Sequence, residues 1–313
     1  MLAEERFALI LNLLAEKRTA TVQELCEALN ASESTIRRDL TELDRQGRLN
    51  KVHGGATLPD GQFLADEPTM AAKETLAVGQ KRSIAQAAAG CGVAVRPVPL
   101  PADCAPETLT DTLRALSADG GVHGVLLLRP LPEALRAQEM LDTLDARKDV
   151  DGMTTASLGA LVTGAAGFAP CTAEACMTLL RAHGIDPAGR RVTVVGRSLV
   201  IGRPAALLLT RADATVTLCH RKTPDLAARC RDADILLAAA GAPGLITTDF
   251  VRPGQIVLDA GATALPDGTL RGDVAPDAAA IAVCTPVPGG IGSVTTALLL
   301  RHTVQAAENL RHF

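Results

Sequence analysis

Residues 192–204 read VTVVGRSLVIGRP, and this stretch decides the fold of the larger part of the chain. Val192 to Val195 is a mostly β-branched run that breaks at Gly196. Arg197 and Ser198 form a polar pair after the break, and Gly202 and Pro204 lead into the apolar helical pattern AALLLTRA. The order predicts a strand, a tight turn and a helix N-terminus, in which backbone N–H groups and the helix dipole face an anion. Such a turn points to a bound nucleotide. The spacing is not G-x-G-x-x-G, and a glycine-bearing strand–helix joint also serves as a plain packing turn.

Outward from this stretch, residues 170–290 alternate apolar strand runs with helical runs: VTVVG, ATVTLCH, ADILLAAAG, QIVLDAG and AIAVCTPVPGG. Regular alternation with fully apolar strands predicts an α/β fold with a doubly wound, Rossmann-type parallel sheet. The second strand ends at His220-Arg221-Lys222-Thr223. Sites selective for NAD place an acid near that strand end, next to the cofactor's ribose. Cations there, with Arg197 as a further one, favour a 2′-phosphate and hence NADP. A basic surface turn is the other reading of the same residues.

Upstream, Val93 to Leu100 is expected to be a strand, Pro106 to Ala118 a helix, and Gly124 to Leu128 a buried strand. The last of these runs into Arg129-Pro130-Leu131-Pro132, whose prolines predict a rigid loop at the strand's carboxyl end, where open α/β sheets place ligands. RKDVDGMTTASLG follows and offers Asp149 and Asp151, which also fit as ordinary turn carboxylates beside a glycine.

The first 56 residues read as three helices and a hairpin. Leu2, Phe7, Ile10, Leu11 and Leu14 form a helical stripe. Thr21 is placed to cap VQELCEALN, and Ser32 to cap ESTIRRDLTELDRQG after the short break Asn30-Ala31. Two helices with a tight joint predict a winged helix-turn-helix, whose second helix enters a major groove. Ser34, Thr35, Arg37 and Arg38 lie near the start of that helix, and Lys51 and His53 where a wing would touch the backbone. A small helical domain with a solvated charged face is the alternative.

Composition narrows the classes. Five Phe with no Trp and no Tyr leave aliphatic cores and exclude a catalytic tyrosine. A net charge of −4 provides no global basic field, so nucleic acid must be met by a local patch. Eight scattered cysteines without a C-x-x-C pair predict reduced thiols in a cytoplasmic protein and no metal site. No apolar run approaches the roughly 18 residues of a membrane span, so no membrane partner is expected. The N-terminus, acidic before its apolar stripe, does not read as a signal peptide.

The run TVQELCEALNASESTIRRDLTELDRQGRLNKVHGGA, followed by EPTMAAKETLAVGQKRSIAQAAAG, resembles the N-terminal part of DeoR-type bacterial repressors over residues 1–90. That resemblance implies sequence-specific DNA binding by an oligomer. From about residue 92 to 310 the chain resembles the bifunctional methylenetetrahydrofolate dehydrogenase/methenyltetrahydrofolate cyclohydrolase family (FolD). The matching runs are GVLLLRPLP, KDVDG, PCTAEACMTLL, VVGRSLVIGRP, ATVTLCHRKT, ADILLAAAGAPGLI, VLDAGA, RGDV and TPVPGGIGSVT, in the family's order. The resemblance implies an NADP site lined by Gly196, Arg197, Ser198, Gly202, Arg221 and Ala262. It implies that Asp151 holds the pterin end of a tetrahydrofolate, with Pro288, Gly289 and Gly290 in a loop beside it. It also implies a homodimer.

The same resemblance marks a departure. The family's Tyr-x-x-x-Lys motif, credited with the second, hydrolytic step, falls on Gln80 and Ile84. Lys81 is the nearby candidate, and Asp151 is the remaining catalytic-site residue. A leucine, Leu128, stands in the loop where the family has glutamine, and the family's first strand and helix are missing. The expected plan is a helix-turn-helix domain over 1–56, a linker and helix over 57–90 and a truncated catalytic α/β domain over 91–169. The NADP-binding domain over 170–290 and a C-terminal helix over 291–313, returning to the catalytic domain, complete it. Three functions fit: an NADP-dependent dehydrogenase/cyclohydrolase with impaired chemistry, a DNA-binding regulator with a catalytically dead NADP- or folate-sensing body, or a non-functional gene-level fusion.

Overall fold

A computed structural model describes residues 3–17, 19–46, 48–52, 54–57, 84–129, 131–265 and 269–311. It divides into two compact units, one of residues 1–66 with Arg221–Pro224 and a second of residues 67–220 with 225–313.

The N-terminal unit comprises α1 (Ala3–Lys17), β1 (Thr19–Thr21), α2 (Val22–Leu29), α3 (Glu33–Arg45), β2 (Asn50–Val52) and β3 (Gly55–Thr57). Thr21 caps α2 with a full capping box: its Oγ1 accepts the Glu24 N–H at 3.2 Å while the Glu24 carboxylate accepts the Thr21 N–H at 2.8 Å. Asn30, at φ +46°, ends α2 in the left-handed region, and Ser32 caps α3, so the joint is as short as its sequence requires. The helices bury Leu14, Leu25, Leu29, Ile36, Leu40 and Leu43 in one core. Arg6 makes a two-toothed pair with the buried Asp39, at 2.7 and 3.1 Å, tying α1 to α3. The expected hairpin, β2 with β3, gains β1 as a third antiparallel strand in the order β1-β3-β2.

The second unit is built on a five-stranded parallel sheet in the order β10-β7-β6-β4-β5. Its strands are β4 (Arg191–Val195), β5 (Thr215–Cys219), β6 (Ile235–Ala238), β7 (Ile256–Asp259) and β10 (Val283–Cys284). A two-stranded antiparallel ribbon, β8 (Thr263–Ala264) with β9 (Leu270–Arg271), stands apart. The helices are α4 (Pro106–Ala118), the short α5 (Gln138–Leu141), α6 (Thr155–Thr163), α7 (Cys171–Ala182), α8 (Gly202–Arg211), α9 (Leu226–Asp232), α10 (Pro276–Ile281) and α11 (Ile291–Arg311), with residues 84–90 also helical. β6 is buried at every position, as its unbroken ILLA run demands of a central parallel strand. α8 packs on β4 and β5, α7 packs on α8, and α11 runs along α7. Among the described residues no helix is long and apolar enough to cross a membrane.

Two expected strands do not form. Residues 93–100 form neither strand nor helix, and Val95 and Val98 stay 49% and 43% exposed. Pro97 and Pro99 remove two N–H donors from that run, and no described segment pairs with it. Residues 124–128 make only a single parallel bridge, Val125 with Asp149, with Val125 N–H donating to the Lys148 carbonyl at 2.7 Å. An apolar run becomes a strand only beside a partner, and here the partner is one residue long. Lys148 is held in place separately: its buried ammonium donates to the carbonyls of Leu116, Ser117 and Asp119 at 3.3, 2.7 and 2.8 Å. It thus closes the C-terminus of α4, where the helix dipole favours a cation.

Candidate active site

Parallel strands bring their C-terminal ends to one edge, and the expected cofactor residues collect there. β4 stops at Gly196, whose φ is +125° and whose N–H donates to the Cys219 carbonyl at 2.9 Å. A Cβ on Gly196 would overlap the Ala239 carbonyl beyond β6, and one on Gly202 would overlap the Gly196 carbonyl. The turn is therefore pressed between the end of β6 and the start of α8, and both positions exclude side chains. Arg197 and Ser198 project from it, exposed. Ser198 closes the turn, accepting the Ile201 N–H at 3.2 Å on Oγ and the Arg203 N–H at 3.0 Å on its carbonyl. Pro204 has no N–H, and the Ala205 N–H donates to the Ile201 carbonyl at 2.8 Å in the first turn of α8. Arg221 follows Cys219, the last residue of β5, by two positions.

Two buried carboxylates, singled out by no motif spacing, set the loops of this edge. Asp273 accepts the N–H groups of Ala240, Gly241 and Ala242 at 2.6, 3.0 and 2.7 Å. Asp259 accepts those of Gly261, Asp273 and Val274, each at 3.0 Å. Burial, then the neighbouring Asp259, pushes the Asp273 carboxyl up to about 6. Ala262 lies exposed just past Gly261, and the Val287–Pro288 peptide is cis, leading through Gly289 (φ +102°) to the buried Gly290.

The second cluster lies where residues 125–129 and 149–151 run parallel from their shared bridge. Asp149 is spent on structure: it accepts the N–H groups of Met153 and Thr154 at 3.0 and 2.7 Å and the Ser157 hydroxyl at 2.7 Å. Asp151, half-buried, accepts one hydrogen bond among the described residues, from the Cys171 N–H at 3.4 Å, and so keeps acceptor capacity. Burial and the charge of Asp149 push its carboxyl up to about 6, with Arg129 pulling the other way. The two aspartates share a narrow cleft with Arg129, Leu127, Leu141 and Met153. From behind, His302 on α11 bonds the Val150 carbonyl at 2.9 Å through Nδ1 and Glu174 at 3.0 Å through Nε2, beside the Phe168 ring. Burial alone would raise the Glu174 carboxyl, but His302 and Arg301 hold it below its usual range. The Cys171 thiol donates to the same Val150 carbonyl at 3.3 Å, and burial keeps it protonated. His302, Cys171 and Glu174 thus fix the segment that carries Asp151, a role their sequence spacing does not reveal. Lys81 and Gln80 lie outside the described residues. Ile84 packs half-buried against the main core.

In the N-terminal unit, Arg37 and Arg38 are exposed on α3, with Arg37 bonded to Glu33 at 2.6 and 2.8 Å. An exposed i,i+4 pair of this kind stabilises by only about 0.3–0.5 kcal/mol, so it holds Arg37 weakly. Lys51 Nζ donates to the Thr41 hydroxyl at 2.7 Å, joining β2 to α3. Ser34 and Thr35 bond the Ser32 cap at 3.1 and 2.8 Å. His53 lies outside the described residues.

Comparison with known proteins decides the affiliation. Residues 170–311 match the tetrahydrofolate dehydrogenase/cyclohydrolase NAD(P)-binding domain, and residues 79–151 match the catalytic domain of the same family. The bifunctional protein FolD 1 of Rhodococcus jostii is 52% identical over 230 residues, covering 72% of this chain and 77% of its own. The chain belongs to the FolD family. The FolD of Chloroflexus aurantiacus is 47% identical over 229 residues, 72% of this chain and 80% of its own. Among solved structures, FolD from Campylobacter jejuni superposes with a TM-score of 0.71 at 37% identity, over 75% of this chain and 84% of that one. The Trypanosoma brucei FolD, solved with NADP and an inhibitor, gives 0.70 at 36%, over 74% and 82%. Residues 6–62 match the DeoR-like helix-turn-helix domain, so this FolD chain carries a second kind of module.

Proposed function

We propose that the FolD portion binds NADP and a tetrahydrofolate and oxidises a methylene bridge on the folate, with the following hydrolysis impaired. The observation that carries this reading is a glycine turn closed to any Cβ at the sheet's ligand edge, in one unit with Asp151, a half-buried carboxylate with acceptor capacity to spare. A cofactor fits the turn because its wall is bare backbone. Gly196, Ser198 and Gly202 lie against the pyrophosphate, and Arg197 and Arg221 supply cations for the 2′-phosphate that selects NADP over NAD. Ala262 contacts the adjoining ring. When bound, the nicotinamide takes up the hydride that leaves the folate. Asp151 accepts N–H groups of the pterin and orients the bridge, while Pro288, Gly289 and Gly290 wall the ring on the other side. Opening the oxidised bridge requires a group that takes a proton from water. Asp151 is engaged by the pterin, Ile84 is apolar, and Lys81 is the only matching amine in its neighbourhood of the sequence, so this step is the slower of the two. Calorimetric titration tests the cofactor assignment: NADP binds in the micromolar range or tighter and NAD more weakly, whereas no heat at millimolar NADP overturns it.

A second reading rests on the DeoR-like module. There α3 reads a major groove, two copies of the chain engage two half-sites as a homodimer, and occupancy of the FolD portion is the signal. In the double variant Arg37→Ala/Arg38→Ala, promoter-fragment affinity is expected to fall about tenfold or more in moderate salt. The slope of log K against log salt is expected to shrink by about 2. Unchanged affinity and slope in gel-shift titrations remove the DNA reading.

A further inference from the structure

Asp151 has a donor beside it that is equally unused. Arg129 sits at the end of the 125–129 run, and its Nε–H is buried without a hydrogen-bond partner among the described residues. It is the one such side-chain atom among them. Burial lowers the guanidinium's pKa, while the charges of Asp151 and Asp149 oppose that shift. Among the described residues no ion pair within 4.0 Å relieves it. Asp149 is largely committed, because three internal donors already occupy it. A buried donor left unpaired is costly, and a ligand that completes it offsets that cost.

We infer that Arg129 is a substrate-contacting residue, which donates its Nε–H to a ring carbonyl while Asp151 accepts the neighbouring ring N–H groups. The ligand class follows from the order of donors and acceptors. A heterocycle edge that presents an exocyclic amine, a ring N–H and a carbonyl in succession matches a carboxylate followed by a guanidinium. The 2-amino-4-oxo edge of a pterin has that order, so the inference rests on the folate reading above. A guanidinium stays protonated at any working pH and cannot take a proton from water. Arg129 therefore orients the ring and contributes nothing as a base.

Fluorescence titrations with 5-formyltetrahydrofolate and with a 2,4-diaminopteridine analogue, whose 4-amino group replaces the carbonyl, test this on the full chain. Wild-type protein binds the 4-oxo ligand at least about tenfold more tightly than the 4-amino one, as expected when a charged donor loses its acceptor. Arg129→Met loses about tenfold or more for the 4-oxo ligand and no longer distinguishes the two. Arg129→Lys keeps the charge but not the planar fork, and falls between them. A purely structural role would weaken both ligands alike. If Arg129→Met does not fold, the discrimination shown by wild type and its reduction in Arg129→Lys carry the test. Equal affinities in wild type, or discrimination retained in Arg129→Met or undiminished in Arg129→Lys, overturn the inference and leave the folate reading standing. Failure of wild type to bind either ligand while it still binds NADP overturns the folate reading itself.

Discussion

Gly196→Val is expected to abolish NADP binding and to lower the melting temperature of the FolD portion by more than any other single change in the turn. The backbone there sits at φ +125°, which a β-branched side chain tolerates poorly, and strain of that kind costs about 1–3 kcal/mol. A unit stabilised by about 5–15 kcal/mol survives that much. The decisive part is steric. The new Cβ would overlap a backbone carbonyl, Ala239, so no rotamer relieves it and the ends of β4 and β6 must separate. A total of about 4–5 kcal/mol or more places the change in the exceptional class. Thermal unfolding paired with an NADP titration checks it; a variant that melts like wild type and binds NADP within threefold contradicts the close packing described.

Asp151→Asn is expected to act in opposite directions on ligand and on fold. The carboxyl's folded pKa, about 6, lies above its ordinary value of 3.8, chiefly through burial. The native state therefore holds that proton more tightly than the unfolded chain. The stability this lends is complete below about pH 4 and is lost as pH rises through about 6. At neutral pH the ionised carboxylate destabilises the free protein by at most about 3 kcal/mol, less as solvent screens it. Asparagine is neutral at every pH, so Asp151→Asn should melt about 2–6 °C higher than wild type at pH 7.5 and lose that advantage near pH 4. Folate affinity should drop about a hundredfold, because an amide offers one acceptor where the carboxylate offers two and its charge. In wild type, affinity should decline as pH falls below about 6. Unchanged melting together with retained binding contradicts the role given to Asp151.

Much of this was legible before any coordinates. The β–α alternation and the break at Gly196 specify the parallel sheet, because an unbroken apolar run of four or five residues fits only a strand covered on both faces. The Thr21 and Ser32 caps likewise follow from local chemistry. Where local pattern depends on a distant partner, sequence reasoning fails. Residues 93–100 and 124–128 have strand composition but lack the neighbouring ladder, so they form no strand. Asp149 and Asp151 are equivalent on paper within KDVDG; the backbone amides of Met153 and Thr154 consume one and leave the other. Arg129, within the Arg-Pro-Leu-Pro run, reads as loop punctuation until its Nε is found buried and unpaired. Asp259 and Asp273 fall in the runs VLDAGA and RGDV, but their roles, like that of His302, are set by partners on other loops that the spacing does not show.

The central claim is that the cofactor half is whole while the hydrolytic half lacks its amine. The direct measurement is NADPH formation from 5,10-methylenetetrahydrofolate, followed optically beside the hydrolysis of 5,10-methenyltetrahydrofolate. The account predicts saturable NADPH formation at micromolar NADP, with methenyl hydrolysis about 10²–10⁴-fold slower than in a family member that has the Tyr-x-x-x-Lys motif, the usual value of general acid–base assistance. Hydrolysis at that relative's full rate, unaltered by Lys81→Ala, would contradict it.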